Sequence, residues 1–172
     1  MTSKIILCDI NDRVVDSLDS YFKEYPVNIV KGSLFEQQTN VIATAGNSFG
    51  YMDGGIDLEI CKFFGKMIEV YVQDMIRKKY DGLMPIGEAE CVFTNDKRIP
   101  YLIYAPTMRL PQNIRGTDNV YNAMKGILKC VKSAFGKDDK IAIPGLGTGF
   151  GEMFPDEAAK QMKDAFLEEI LQ

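Results

Sequence analysis

The chain contains no histidine. That removes the commonest general base near neutral pH, the usual zinc ligand, and any Ser-His or Cys-His dyad. The four cysteines, Cys8, Cys61, Cys91 and Cys130, are widely spaced and form no CxxC pair. Reduced core thiols are expected, rather than disulfides or a metal site. There is no basic excess either: 20 Lys and Arg against 24 Asp and Glu leave a net charge of −4. This argues against a nucleic-acid backbone or an acidic membrane surface as partner. The apolar run Lys4 to Ile10 is too short for a signal segment or a membrane span. A soluble protein in a reducing, cytoplasmic compartment is expected, with no catalytic metal and no cofactor.

Several nucleotide and hydrolase signatures are missing as well. No Lys-Ser or Lys-Thr follows the glycines, so there is no P-loop, and no GxSxG elbow occurs. The stretch Gly145 to Gly151 departs from GxGxxG, because Phe150 stands where the third glycine belongs.

What the chain does have is strands alternating with helices over 172 residues, 46% of them apolar. That suits one domain spanning 1–172 with a sizeable core. Strands are expected at Lys4 to Ile10, Val27 to Val30, Val41 to Ala45, Glu88 to Thr94, Tyr101 to Ala105 and Lys140 to Ile143. Helical spacing marks Asp12 to Tyr25, a long segment from Asp57 to about Tyr80, Asn119 to Phe135, and a last helix opening near Pro155. Asn11 and Pro155 are the start signals of the first and last helices. The pattern predicts a three-layer α/β/α sandwich with a mixed, mostly parallel sheet.

Two glycine-rich stretches stand out. Asn47-Ser-Phe-Gly-Tyr-Met-Asp-Gly-Gly-Ile-Asp57 follows one buried strand and enters a helix. Gly145-Leu-Gly-Thr-Gly-Phe-Gly151 follows another and leads toward a helix. Glycine lets backbone approach a ligand closely, and first-turn amides suit an anion. In a parallel sheet both loops fall on the same edge, where two facing cradles suit a diphosphate. Asp9, at the end of the first strand, is a weaker ligand candidate.

In order and spacing, these residues resemble a macro domain, the module that binds ADP-ribose and related metabolites. Val30-Lys-Gly-Ser-Leu34 resembles the family's Gly-Asp-Ile turn, and Val41-Ile-Ala-Thr-Ala-Gly-Asn47 resembles its strand ending in Asn-Ala-Ala-Asn. Asp53-Gly-Gly-Ile-Asp57 resembles the Gly-Gly-Gly-Val-Asp loop. Ile143 to Gly151 resembles the second phosphate loop. The resemblance begins at about Val27. It implies that Ser33 and Leu34 lie at the base, with Ser33 in place of the family's adenine-reading aspartate. It places Asn47 at the proximal ribose, and Asp53, Gly54, Gly55 and Ile56 on one side of the diphosphate. Gly145, Gly147, Thr148, Gly149 and Gly151 lie on the other side, with Phe150 packing on the ribose. Ala105, Pro106 and Thr107 are expected near the ligand at another strand end. The first asparagine of Asn-Ala-Ala-Asn is Thr44 here.

The function expected is binding of ADP-ribose or a related ADP-ribosyl metabolite between the two loops. Some family members hydrolyse an ADP-ribosyl bond or a 1″-phosphate. Asn47 and Asp57 are the candidate groups to orient a water for such a step. Asp57 serves equally well as a cap of its own helix. A second family branch uses a lysine nucleophile after the first loop. Lys62-Phe-Phe-Gly65 resembles that pattern only in part, and a lysine on the polar face of a helix is the simpler reading. The alternatives are a non-catalytic sensing or sequestering module, and an interaction protein whose glycine loops are vestigial.

Overall fold

The structure, a computed structural model, describes residues 4–170. Six apolar segments form one sheet: Ile5–Asp9 (β1), Asn28–Lys31 (β2), Val41–Asn47 (β3), Glu90–Phe93 (β4), Tyr101–Met108 (β5) and Ile141–Pro144 (β6). Their order is β2-β1-β6-β3-β5-β4. Every neighbouring pair is parallel except β4 with β5. The helices are Asp12–Phe22 (α1), Gly55–Phe64 (α2), Met67–Tyr80 (α3), Asn119–Ala134 (α4) and Pro155–Ile170 (α5).

Successive strand residues point to opposite faces of the sheet, and each face needs its own cover. Val41, Ala43, Ile141 and Ile143 pack with Leu18 of α1, Ile127 of α4 and Phe166 of α5. Ile42, Leu102 and Tyr104 pack with Ile60 of α2 and Val72 of α3. The result is the three-layer α/β/α sandwich, with a mixed, mostly parallel sheet between helical layers. Buried on both faces, β3 and β6 read as continuous apolar runs, as parallel strands do.

Local chemistry sets the boundaries. The Asn11 side chain accepts from the Arg13 and Val14 amides at 2.9 and 3.4 Å, capping α1. Pro155 opens α5, with Asp156 and Glu157 in its first turn.

Two expectations are corrected. The segment from Asp57 to Tyr80 is not one helix, because Gly65 ends α2 at a φ of 93°, its amide bonding to Cys61 O at 2.8 Å. The apolar spacing continues through Met67 and Ile68, which hides the break. The strand after Ile99 does not stop at Ala105 but runs through Pro106 and Thr107 to Met108. A proline fits there because β4 pairs only with Tyr101 to Tyr104, leaving β5 unpaired on that side beyond Tyr104.

Candidate functional site

β1, β6, β3 and β5 lie side by side and parallel, so their C-terminal ends open on one edge of the sheet. A cleft of about 360 Å³ sits there, walled by both glycine loops. Ligands of open parallel sheets occupy this kind of position.

The first loop hangs from Asn47, which is buried. Its Oδ1 accepts from the Phe49 and Tyr51 amides at 3.1 and 3.2 Å, and its Nδ2 donates to Tyr51 O at 2.8 Å. Glu69 of α3 accepts from the Met52 amide at 2.6 Å, and Gln73 donates to Gly50 O at 3.2 Å. β3 bulges at Gly46 and Asn47. The fully buried Tyr104 hydroxyl fills the bulge, donating to Asn47 O at 2.8 Å and accepting from Asn47 N at 3.0 Å. A Cβ at Gly46 would lie 2.2 Å from that hydroxyl, so only glycine fits. Left unpaired, so buried a hydroxyl would cost about 1–3 kcal/mol.

The second loop is fixed mainly by backbone contacts. Gly145 N donates to Asp9 Oδ2 at 3.2 Å. The Met153 amide bonds to Gly147 O, the Glu152 amide to Gly149 O, and the Ile114 amide to Gly151 O, at 3.0, 3.0 and 2.9 Å. Gly147 takes a φ of 73°, and a Cβ there would meet Val120 at 2.5 Å. This glycine packs inward against α4.

Between those fixed points, both loops leave amides over. Among the described residues, no protein group accepts from the amides of Gly147 to Gly151. The same is true of Asp53 and Gly54, and of Gly55, Ile56 and Asp57 in the first turn of α2. The Phe150 ring reaches across the cleft, such that a Cβ at Gly54 would lie 2.4 Å from it. The two loops therefore touch. No lysine or arginine lines the wall. An anion here would meet loop amides rather than cationic side chains.

Asp57 stands in the first turn of α2, only 5% exposed, and lines the cleft. The Thr44 hydroxyl donates to its Oδ1 at 2.6 Å. Desolvation pushes the carboxyl up to about 7, opposed by the Thr44 hydrogen bond and reinforced by the charges of Glu69 and Asp53. A carboxyl poised there can give or take a proton near neutral pH.

Asn47, Asp53, Gly54, Gly55, Ile56, Asp57, Thr107, Gly145, Gly147, Thr148, Gly149, Phe150 and Gly151 all line this one cleft. Asp9 joins them from β1. Four expected ligand residues do not. Ser33 caps a single 3-10 turn at Leu34–Glu36, its hydroxyl accepting from the Phe35 amide at 3.2 Å. It opens onto a separate, larger hollow of about 820 Å³, beside Phe35, Phe63 and Arg98. Leu34 is buried in the core under α2, and Ala105 and Pro106 are covered within β5. Lys62 pairs with Glu59 at 3.0 Å on the exposed face of α2 and does not line the cleft. Sequence reasoning missed Ile10, Tyr51 and Met108 in the wall, and Tyr104 and Glu69 behind it. The Tyr104 and Glu69 contacts span many residues and leave no local pattern.

The sheet order and the amide-lined cleft at its C-terminal edge define a single-sheet α/β fold with an open cleft at its strand ends. The model of the Macro domain family matches residues 43–162, and the chain belongs to that family. An uncharacterized protein of Aquifex aeolicus is 31% identical over 79% of this chain and 78% of its own length. A macro domain-containing protein of Listeria monocytogenes is 32% identical, covering 79% of this chain and 75% of its own. Among solved structures, the Oceanobacillus iheyensis macrodomain with ADP superposes with a TM-score of 0.66 at 22% identity, over 80% of this chain and 72% of that one. Thermosipho africanus DarTG in complex with ADP-ribose gives 0.63 at 15% identity, over 94% of this chain and 50% of that one. These structures share the fold. No helix among the described residues is long and apolar enough to cross a membrane.

Proposed function

We propose that this chain binds ADP-ribose or a related ADP-ribosyl metabolite in the cleft between the two glycine loops. One observation carries the reading: among the described residues, two facing runs of amides, Asp53 to Asp57 and Gly147 to Gly151, have no protein acceptor, in a wall without lysine or arginine. A diphosphate supplies acceptors to both runs at once. Solved relatives of this fold with ADP-ribose or ADP support the ligand class. In this reading Asn47 meets the proximal ribose, Phe150 packs on it, and the base lies toward Asp9 and Ile10 rather than Ser33. A reducing, cytoplasmic setting goes with it, in keeping with four free thiols.

Hydrolysis of an ADP-ribosyl bond is the stronger form of the proposal, with Asp57 as the group that handles the proton and Asn47 in the same wall. The non-catalytic form has its own support. Asn47 already spends Oδ1 and one Nδ2 hydrogen on the first loop, which leaves it little to orient a water.

Calorimetry with ADP-ribose tests binding. Gly149→Glu adds a carboxylate in open space within the second loop. It should weaken binding at least tenfold at unchanged melting temperature. Equal affinity in wild type and variant removes the second loop from the site. Incubation with ADP-ribosyl substrates, followed by product analysis, separates turnover from binding alone.

A further inference from the structure

The cleft crosses the sheet from β1 through β6 to β3 and β5, and its two ends differ in free charge. At the β1 end the wall's one carboxylate among the described residues is Asp9, and it is engaged: its Oδ1 accepts from Asn11 N at 3.0 Å and its Oδ2 from Gly145 N at 3.2 Å. At the β3 end the wall carries Asp53, Asp57 and Glu59. Asp57 is buried, with Oδ1 bonded to Thr44 and no protein partner for Oδ2 among the described residues. Asp53 is exposed and has neither a hydrogen bond nor an ion pair to its side chain among them. Glu59 meets a cation, Lys62, only on the exposed face of α2. No lysine or arginine offsets this charge within the wall.

Under the reading proposed above, Asn47 on β3 marks the proximal ribose. The anomeric substituent then faces these carboxylates. We propose that the cleft selects ADP-ribosyl compounds whose anomeric substituent is a cation, a guanidinium or pyridinium N-glycoside, and rejects those that carry phosphate there. The diphosphate sits among amides and tolerates the field. A second phosphate group at the anomeric carbon faces like charge with no counter-ion.

The preference strengthens with pH. Asp57 is faced by Thr44 on β3, Glu69 on α3, Asp53 on the first loop and Tyr104 on β5, and the wall of the second loop adds no charge. A bound cation favours the ionised carboxylate and draws its proton off.

Calorimetry at low salt with four ligands tests this. ADP-ribose against ADP-ribose 1″-phosphate varies the charge from neutral to anionic. NAD⁺ against NADH varies it from cationic to neutral at nearly constant size. The 1″-phosphate should bind at least tenfold more weakly than ADP-ribose, and NAD⁺ at least fivefold more tightly than NADH. Both gaps should shrink below threefold in Asp53→Asn, whose site is exposed, and the NAD⁺ advantage should grow from pH 6 to pH 8. A 1″-phosphate that binds as tightly as ADP-ribose overturns the inference while leaving the ADP-ribose reading intact. So does equal affinity for NAD⁺ and NADH. If both nicotinamide forms are shut out by size, the phosphate comparison alone decides. Failure of ADP-ribose itself to bind overturns the functional reading and this inference with it.

Discussion

Side chains pin the first glycine loop, whereas mainly backbone contacts pin the second. Asn47, Glu69 and Gln73 together hold five backbone groups between Phe49 and Met52. The second loop folds on itself at Gly147 and Gly149 and leans on Ile114. The Arg115 guanidinium adds a bond to Glu152 O and lies over the Phe154 ring. The difference shows two routes to one end. A loop that must present amides cannot also spend them on itself, so its anchors lie at its edges or in neighbouring side chains. The first loop is backed by a half-buried acid, Glu69 of α3. The second is tied at its two ends by Asp9 and Arg115, and between them owes its shape to glycine.

The sharpest way to break the comparison is at Gly147. Gly147→Val forces a branched side chain into a left-handed conformation, with its Cβ 2.5 Å from Val120. Overpacking and backbone strain should together cost about 4–5 kcal/mol. The control, Gly149→Ala, meets nothing within 4 Å and should stay within about 0.5 kcal/mol of wild type. Chemical denaturation measures both, and equal effects would show that the second loop is not shaped by Gly147.

The next effect belongs to the first loop's helix. Asp57 titrates at about 7 in the folded chain, against about 3.9 when unfolded. The folded state therefore holds the extra proton between those values. Stability attributable to this group falls as pH rises from 4 to 7, then levels off. At full ionisation the cost is about 4 kcal/mol as an upper bound. Asp57→Asn should remove that slope, so the wild-type and variant stability curves should diverge between pH 4 and pH 7. Parallel curves would mean that the carboxyl titrates normally.

The smallest effect sharpens the contrast between side-chain and backbone anchoring. Asn47→Ala strips three hydrogen bonds from the first loop and should cost about 2 kcal/mol. Amide exchange should quicken from Phe49 to Met52 while Gly147 to Gly151 are unchanged. Quickening in both loops would show that they are held as one unit.

The layers and most element boundaries could be read from the chain, because apolar spacing and caps such as Asn11 and Pro155 are local signals. The cleft was legible for the same reason: each glycine loop follows its own strand. The break at Gly65 was masked by an apolar stripe that continues across it from Phe64 to Met67 and Ile68. Ser33 was misplaced because a motif's order along the chain does not reveal that its serine turns away to cap a 3-10 turn. The Tyr104 hydroxyl in the bulge at Asn47 depends on residues 57 positions apart, and no window of sequence contains both.

The place of β1 has a consequence for how the molecule assembles. This strand comes first in the chain yet sits between β2 and β6, and Asp9 meets Gly145 across 136 residues. The β1-α1-β2 unit can pair early, over a short loop. Its union with β6 must wait for the longest loop closure in the sheet, which makes it a slow and late step in refolding. That step also joins the Asp9 end of the cleft to the second glycine loop. A ligand bridging them would be a reporter of the last stage of folding, gaining affinity only once that seam has closed.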